Sequence, residues 1–126
     1  VYKRQRVRME TKEIETYVAK QIELSPKLKP MLEPRFNEST GKNEFPDLQS
    51  FAVMGLNEES GEVAGLACRE CYKEIGMPRY RWLEELGDVL WYLTAATMAK
   101  GLTLEELWNY NVEKLEGRYG ELQQDR

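Results

Sequence analysis

Two long segments of this chain carry the same helical repeat, and that repeat restricts the fold to packed α-helices. The first segment runs from Asp47, which we predict as its N-cap, to about Ile75, just before Gly76. The second runs over 79–100 and ends at Gly101. In the first segment, one set of residues recurs at intervals of 4, 3, 4, 3 and 4 positions: Leu48, Ala52, Gly55, Glu59, Glu62 and Leu66. The second segment has a set with the same intervals: Arg81, Glu85, Asp88, Tyr92, Ala95 and Ala99. That spacing follows one face of an α-helix and does not fit a strand.

A further helix is predicted on each side of this pair. Residues 10–24 have apolar residues at four-residue intervals, which is typical of an amphipathic helix: Ile14, Val18 and Ile22. Thr103 and Glu106 have the Thr-x-x-Glu spacing of a capping box, so a last helix should begin there and run to about Tyr119. We find no strand-like alternation. The predicted fold is all-α with a four-helix core, as one domain over residues 9–126.

Two segments fall outside the predicted helices. Residues 25–46 hold four of the five prolines and the polar run from Asn37 to Asn43, which predicts a long irregular connection. Residues 1–8 are basic and precede the first methionine, Met9. We expect them to be a non-native or disordered extension, and they carry no part of the fold prediction.

Composition excludes several classes of protein. Hydrophobic residues make up 41% and charged residues 32%, which is too apolar for a disordered chain and too charged for a membrane protein. No apolar run approaches the ~18 residues that a membrane span needs. The 18 basic and 22 acidic residues give a net charge of −4, which argues against nucleic-acid binding. We therefore expect a cytoplasmic protein with neither a nucleic-acid nor a membrane partner.

The chain contains no histidine, and this narrows its possible chemistry. Histidine-based triads, Cys-His pairs and His-ligated zinc, haem or di-iron sites are excluded. Cys68 and Cys71 form a CxxC motif, but it lies inside a helical pattern instead of at a strand-to-helix turn. We interpret both cysteines as packing residues. Chemistry therefore falls to carboxylates, Lys, Arg and hydroxyl groups.

Acidic residues occupy positions on both helical stripes where core residues are expected. Glu59 and Glu62 lie on the first stripe, and Glu85 and Asp88 lie on the second, each pair among apolar residues. Antiparallel packing across the short connection would bring the four together. Each buried ion costs several kcal/mol unless it is paired, and Arg81 alone cannot neutralise four acids. We predict a divalent cation there, and all-oxygen ligands favour Mg²⁺, with Mn²⁺ next.

The alternative interpretation is that these acids form a solvated helix face. We prefer that interpretation for the remaining glutamates of the two helices: Glu58, Glu70, Glu74 and Glu84. Glu58 stays open between the two interpretations, because it lies about 100° around the helix from Glu59 and could join a second metal ion. Glycines next to the acids, Gly55 and Gly87, would let a ligand or a neighbouring helix approach closely.

The last helix presents a polar, cationic face. Asn111, Lys114 and Arg118 follow at i, i+3 and i+7, so they could hold an anionic chain such as a polyphosphate. Arg81, one turn before Glu85, could orient that carboxylate or contact a phosphate. The alternative for this face is simple solvation. An adjacent face is predicted to pack on the bundle through its apolar members: Leu104, Trp108 and Leu115.

These motifs resemble a known family. The sequence EESGE at 58–62, followed by ELGDVLWYL at 85–93, resembles the EExxE…ExxD signature of MazG-like nucleotide pyrophosphohydrolases, members of the all-α NTP pyrophosphatase superfamily. The sequence NVEKLEGRYG at 111–120 is similar to the NxxKLxxRYG ending of that family. The resemblance covers about residues 48–120.

The resemblance implies a function. Members bind Mg²⁺ through residues that match Glu59, Glu62, Glu85 and Asp88, with Glu58 close by. They hydrolyse nucleoside triphosphates between the α and β phosphates, releasing nucleoside monophosphate and pyrophosphate, and so remove surplus or non-standard nucleotides. Glu58 and Glu59 are then the candidate general bases. Members assemble as dimers or tetramers in which neighbouring subunits often help to complete each site.

A second functional class stays open at this point. The chain could be a helical oligomer that binds a nucleotide or a metal without chemistry and acts as a sensor or interaction module. The complete set of four acids argues against that alternative, since a degenerate member would be expected to lose one of them. A di-iron carboxylate bundle is excluded because its Glu-x-x-His ligands are missing.

Overall fold

Four α-helices dominate the described part of the chain. The computed structural model describes residues 10–124, and the side chains of residues 10–118. The helices are α1 (Thr11–Leu24), α2 (Pro46–Tyr72), α3 (Arg79–Ala99) and α4 (Leu104–Gln124). The all-α prediction is confirmed at this level, whereas the predicted extension at 1–8 lies outside the described residues. Among the described helices, none combines the length and the hydropathy needed to cross a membrane.

The helices α2 and α3 form an antiparallel pair. Near their connection, the Trp82 indole donates a hydrogen bond to Glu70 Oε1 at 2.8 Å, whereas Gly55 faces Tyr92 farther from it. The backbone N–H of Met77 donates to the same Glu70 oxygen at 3.2 Å. Glu70, interpreted from sequence as part of a solvated face, is therefore exposed but also ties the two helices together at their turn.

The helix α2 ends three residues earlier than predicted. It stops at Tyr72 instead of about Ile75, and Glu74 takes a left-handed conformation with φ 53°. The Ile75 N–H donates to the Arg69 carbonyl at 3.0 Å and closes the helix end. This change of direction precedes the Gly76 breaker that the prediction relied on.

The buried core lies at one end of the molecule. It joins α1, the start of α2 and the end of α3 through six side chains: Val18, Ile22, Leu48, Ala52, Ala95 and Ala99. All six are on the predicted helical stripes, so the periodicity identified the inward faces correctly at the core. Beyond this core, α2 and α3 continue as a two-helix arm, whose apolar residues include Leu83, Leu86 and Leu90, all more than 40% exposed.

The connection predicted as irregular contains regular structure. A short 3₁₀-helix covers Lys29–Met31, and β1 (Arg35–Asn37) pairs antiparallel with β2 (Lys42–Glu44). The prediction of no strands is wrong here, because three-residue strands are too short for alternation to show. Turn chemistry was the available signal: Asn37 begins the turn, and Gly41 supplies its left-handed residue at φ 71°.

The hairpin is attached to the end of α3. The Phe45 N–H donates to the Ala99 carbonyl at 2.8 Å. The Glu44 carboxylate accepts hydrogen bonds from Lys100 at 3.2 Å and from Asn37 at 3.3 Å. These two donors, Lys100 first, hold the pKa of Glu44 below its usual value. The long connection is thus anchored to the helical core at its second strand.

One predicted helix cap is confirmed and one is wrong. The Glu106 N–H donates to Thr103 Oγ1 at 3.1 Å, and the Thr103 N–H donates to Glu106 Oε2 at 3.3 Å, which is the reciprocal capping box. By contrast, α2 begins at Pro46 after Phe45, so Asp47 lies inside the first turn. Proline has the φ of a first helical residue and lacks the N–H that would need a cap.

The helix α4 packs mainly against α1 instead of joining α2 and α3 in a compact bundle. As a result, Trp108 is 65% exposed and Leu115 is also exposed, whereas Leu104 is half-buried. The prediction that these three residues hold α4 against the bundle is therefore wrong for two of them in the single chain. The prediction fails because α4 packs mainly against α1, which leaves the face with Trp108 and Leu115 without a neighbour within the described residues.

Candidate metal centre

Three carboxylates converge where α2 and α3 face each other. Glu59 comes from α2, and Glu85 and Asp88 come from α3. One oxygen from each lies within 4.8 Å of the others. The i, i+3 spacing places Glu85 and Asp88 on one helix face, and the antiparallel packing places Glu59 opposite them. The structure thus brings together three of the four acids that sequence analysis selected as metal ligands.

The acids lie between α2 and α3 at a partly exposed place, called the acidic groove below, instead of in the interior expected from sequence. Glu85 is buried, at 8% exposure, Glu59 is half-buried, and Asp88 is exposed. The reason is that this part of the two-helix arm lies beyond the core. An open side leaves room for water and for a substrate at any ion that the acids hold.

Arg81 of α3 contacts acids of its own helix. The Arg81 guanidinium lies 3.6 Å from the Glu85 carboxylate and 3.8 Å from that of Glu84. Arg81 therefore lies within ion-pair distance of the carboxylate that it was predicted to orient. Its single charge, shared between two acids, leaves Glu59 and Asp88 without compensation from it.

Burial and the neighbouring acids both disfavour the ionised form of Glu59. Burial, followed by the charges of Asp88, Glu85, Glu58 and Glu62, raises the pKa of Glu59 above its usual value of 4.5. The group is therefore held in a place where its ionised form is disfavoured. A bound cation would reverse that preference, because it would attract the same oxygens that now repel one another.

Glu58 and Glu62 lie beside the three converging acids without joining them. Both are exposed, and neither contributes an oxygen to the group formed by Glu59, Glu85 and Asp88. Their charges still act on Glu59. Glu62 lies about one turn farther along the same stripe of α2, and the prediction that it joins the other three acids is not supported by their arrangement.

The donor set fits a hard divalent cation. Ligand oxygens of an octahedral Mg²⁺ ion lie about 2.1 Å from it, so adjacent oxygens are about 3.0 Å apart and opposite oxygens about 4.2 Å apart. The three oxygens lie within 4.8 Å of one another, so side-chain rotations would have to draw them closer around one ion. Three carboxylates without thiolate or imidazole donors match Mg²⁺ or Mn²⁺ in chemical type.

An aromatic ring lies directly beside the acids. Tyr92 is one turn after Asp88 on α3, and burial together with the charges of Glu59, Glu58 and Asp88 raises the pKa of its phenol. Its ring packs against Gly55 of α2. Sequence analysis placed both residues on the inward stripes but did not pair them. Their positions could have paired them. Gly55 lies one turn before Glu59 and Tyr92 lies one turn after Asp88, so the two face each other when the helices are antiparallel.

The predicted phosphate-binding residues of α4 lie elsewhere in the single chain. Lys114 and Arg118 are exposed, and α4 packs on α1. Asn111 is half-buried and lines a pocket of about 410 Å³ whose other walls are mostly apolar: Leu102, Glu106, Leu107 and Tyr110. None of the converging acids lines that pocket. Among the described residues, neither Lys114 nor Arg118 forms an ion pair with the converging acids.

The two cysteines do not pack in the core. Cys68 and Cys71 are unpaired thiols, and both are exposed on the last two turns of α2. The interpretation of these residues as packing residues is wrong for the single chain, because the two-helix arm has no neighbour on that face within the described residues.

Comparisons with known proteins return no assignment. No protein-family model, curated protein or solved structure matches this chain. A functional proposal therefore depends on the geometry of the acids and on the sequence motifs that place them.

Proposed function

We propose that this chain is a Mg²⁺-dependent nucleoside triphosphate pyrophosphohydrolase of the MazG-like type, acting on canonical, deoxy or modified nucleotides in the cytoplasm. The observation that carries the proposal is the convergence of Glu59, Glu85 and Asp88, whose oxygens lie within 4.8 Å of one another in an open groove. Carboxylates that repel one another at a solvent-accessible place are typical of sites that bind a divalent cation and its phosphate ligand.

The proposed reaction is hydrolysis between the α and β phosphates. Water adds to the α-phosphorus, the bond to the bridging oxygen breaks, and the products are nucleoside monophosphate and pyrophosphate. When bound, Mg²⁺ would supply neutralisation of the phosphate charge and would lower the pKa of water. Glu58 or Glu59 would accept the proton from the attacking water, and Arg81 would keep the Glu85 carboxylate in position.

The phosphates of the substrate also need cations, and we propose that a second copy of the chain brings them. Asn111, Lys114 and Arg118 lie on α4, which packs mainly against α1 and not against the two helices that carry the acids. The two-helix arm meanwhile exposes an apolar stripe on α3: Leu83, Leu86 and Leu90. Burying that stripe in a dimer or tetramer would remove apolar surface from water and could bring α4 of a neighbour towards the groove.

The proposed oligomer can be tested by measuring the mass of the particle in solution. We expect light scattering coupled to size exclusion to give two or four times the mass of the chain. Leu86→Glu combined with Leu90→Glu should give a monomer, because two charges cannot be buried in the apolar contact. Leu24→Glu, a change at an exposed leucine at the end of α1, is the matched control and should leave the mass unchanged. A monomeric wild type at micromolar concentration would contradict this part of the proposal.

The activity is tested by identifying products. With Mg²⁺ and a panel of ribo-, deoxy- and modified triphosphates in ¹⁸O-water, we expect monophosphate and pyrophosphate, with the label in the monophosphate. Label in pyrophosphate would place the attack on the β-phosphorus. Diphosphate plus orthophosphate, or no turnover across the panel, would contradict the proposal. Calorimetric nucleotide binding without any product would instead favour the non-catalytic sensor.

A further inference from the structure

A glycine of α2 and a tyrosine ring of α3 make a very close contact near the acids. A methyl group placed on Gly55 would lie 2.7 Å from Cζ of Tyr92 and nearer still to Cε1 and Cδ1. Real carbon atoms do not approach one another so closely without displacement. Gly55 is therefore the residue that lets the Tyr92 ring rest on the backbone of α2.

The ring has little room to move aside. Its centroid lies 5.8 Å from that of Phe51, one turn before Gly55 on α2. The Trp91 ring stands edge-on to it at 5.1 Å, and the Trp91 indole is itself held by a hydrogen bond to Gln21 at 2.6 Å. A larger residue at position 55 would therefore tend to push the two helices apart, because aromatic rings contact the Tyr92 ring on two of its sides.

This contact is one helical turn from the acids on both helices. Gly55 precedes Glu59 by four residues, and Tyr92 follows Asp88 by four. The separation of the helices at Gly55 therefore controls the separation of the Glu59 and Asp88 carboxylates. We propose that Gly55 and Tyr92 form a spacer that sets the distance between α2 and α3 at the acids and thereby sets metal affinity. This inference rests on the metal centre of the proposed function.

Other helical glycines of the arm do not have this role. A methyl group at Gly61, Gly65 or Gly87 would meet no atom within 4 Å outside its own surroundings in the helix. Sequence analysis gave Gly55 and Gly87 the same interpretation, but only Gly55 lies against the partner helix. Gly65 is thus a matched control, since it lies ten residues along the same helix and is open to solvent.

The experiment measures Mn²⁺ affinity by electron paramagnetic resonance, with the melting temperature of the metal-free protein as a second readout. Gly55→Ala should weaken Mn²⁺ binding by about 10–100-fold, the range found when groups that support metal ligands are altered. It should also lower the melting temperature. Gly65→Ala should leave Mn²⁺ affinity unchanged and raise the melting temperature by about 3 °C, because alanine favours the helix.

A double-substitution cycle separates the spacer from general damage. In a Tyr92→Ala background the ring is absent, so adding Gly55→Ala should no longer weaken Mn²⁺ binding and should raise the melting temperature. If Gly55→Ala weakened Mn²⁺ binding equally in the wild type and in Tyr92→Ala, the spacer would be overturned. Wild-type affinity in Gly55→Ala alone would also overturn it, and that measurement does not require Tyr92→Ala to fold. Failure of the wild type to bind Mn²⁺ would overturn the metal centre as well, so the two failures are distinguishable.

Discussion

Glu59→Gln and Asp88→Asn are each expected to lower Mg²⁺-dependent turnover by about 10³-fold or more while leaving the helical content intact. Each change removes one of the three carboxylates whose oxygens lie within 4.8 Å of one another. The amide has the same shape but no charge, so the groove loses its attraction for the cation and its ability to hold the phosphate through it. Initial rates measure the loss of turnover, and circular dichroism measures the helical content.

The same Glu59→Gln change should stabilise the metal-free protein. The raised pKa of Glu59 means that its negative charge is disfavoured in the folded chain, first by burial and then by neighbouring acids, beginning with Asp88. Removing the charge relieves that cost at neutral pH. We therefore expect a higher melting temperature in EDTA together with loss of activity, a combination that unfolding cannot produce.

An exposed glutamate of α1 provides the control for these substitutions. Glu23→Gln makes the same change at an exposed glutamate of α1 and should leave turnover within about twofold of wild type. If turnover survived both Glu59→Gln and Asp88→Asn, the assignment of the metal centre would be wrong.

Divalent cations should stabilise the wild-type protein strongly. A ligand that binds only the folded state contributes about 2.7 kcal/mol when its concentration is 100 times its dissociation constant. For a chain of this size, that corresponds to a rise of about 10 °C in melting temperature. Mg²⁺ and Mn²⁺ should both produce the rise, and EDTA should remove it. A melting temperature that ignores both ions would contradict the metal centre.

The size of that stabilisation should depend on pH with a definite sign. The folded pKa of Glu59 lies above its usual 4.5, so the folded chain binds a proton more tightly than the unfolded chain. The metal-free protein should therefore lose stability as pH rises through that raised pKa. Metal binding requires the carboxylate, so the gain from Mg²⁺ should grow over the same pH range.

The measurement for this prediction is a pair of melting curves, with Mg²⁺ and with EDTA, at each of several pH values. The difference between the two should widen as pH rises for the wild type. In Glu59→Gln the difference should be small and should change little in this range, since the titrating group is gone. A difference that is constant with pH in the wild type would show that Glu59 is not coupled to the ion.

Local patterns explain most of the helical prediction. The inward stripes were correct at the core because helical periodicity depends only on neighbours along the chain, as for Leu48 and Ala52 on α2 and Ala95 and Ala99 on α3. The capping box at Thr103 is equally local and was confirmed. The hairpin was missed because its strands are short, and Asp47 was misassigned because Pro46 already begins the helix.

The sequence identified the acids of the candidate site but not which of them come together. The i, i+3 spacing selected Glu59, Glu62, Glu85 and Asp88, but it could not say which of them would approach one another. In the structure Glu85 is buried, whereas Glu62 stays exposed and outside the group. That outcome depends on how α2 crosses α3, and no residue near Glu62 in the chain encodes that crossing.

The sequence by itself determined the four helices and the acidic character of one face, because both follow from interactions between residues a few positions apart. Only the tertiary structure decided that α4 lies on α1, that Asp88 is exposed beside a buried Glu85, and that Tyr92 rests on Gly55. These features depend on the distance and angle between helices, which are set by packing between residues far apart in the chain.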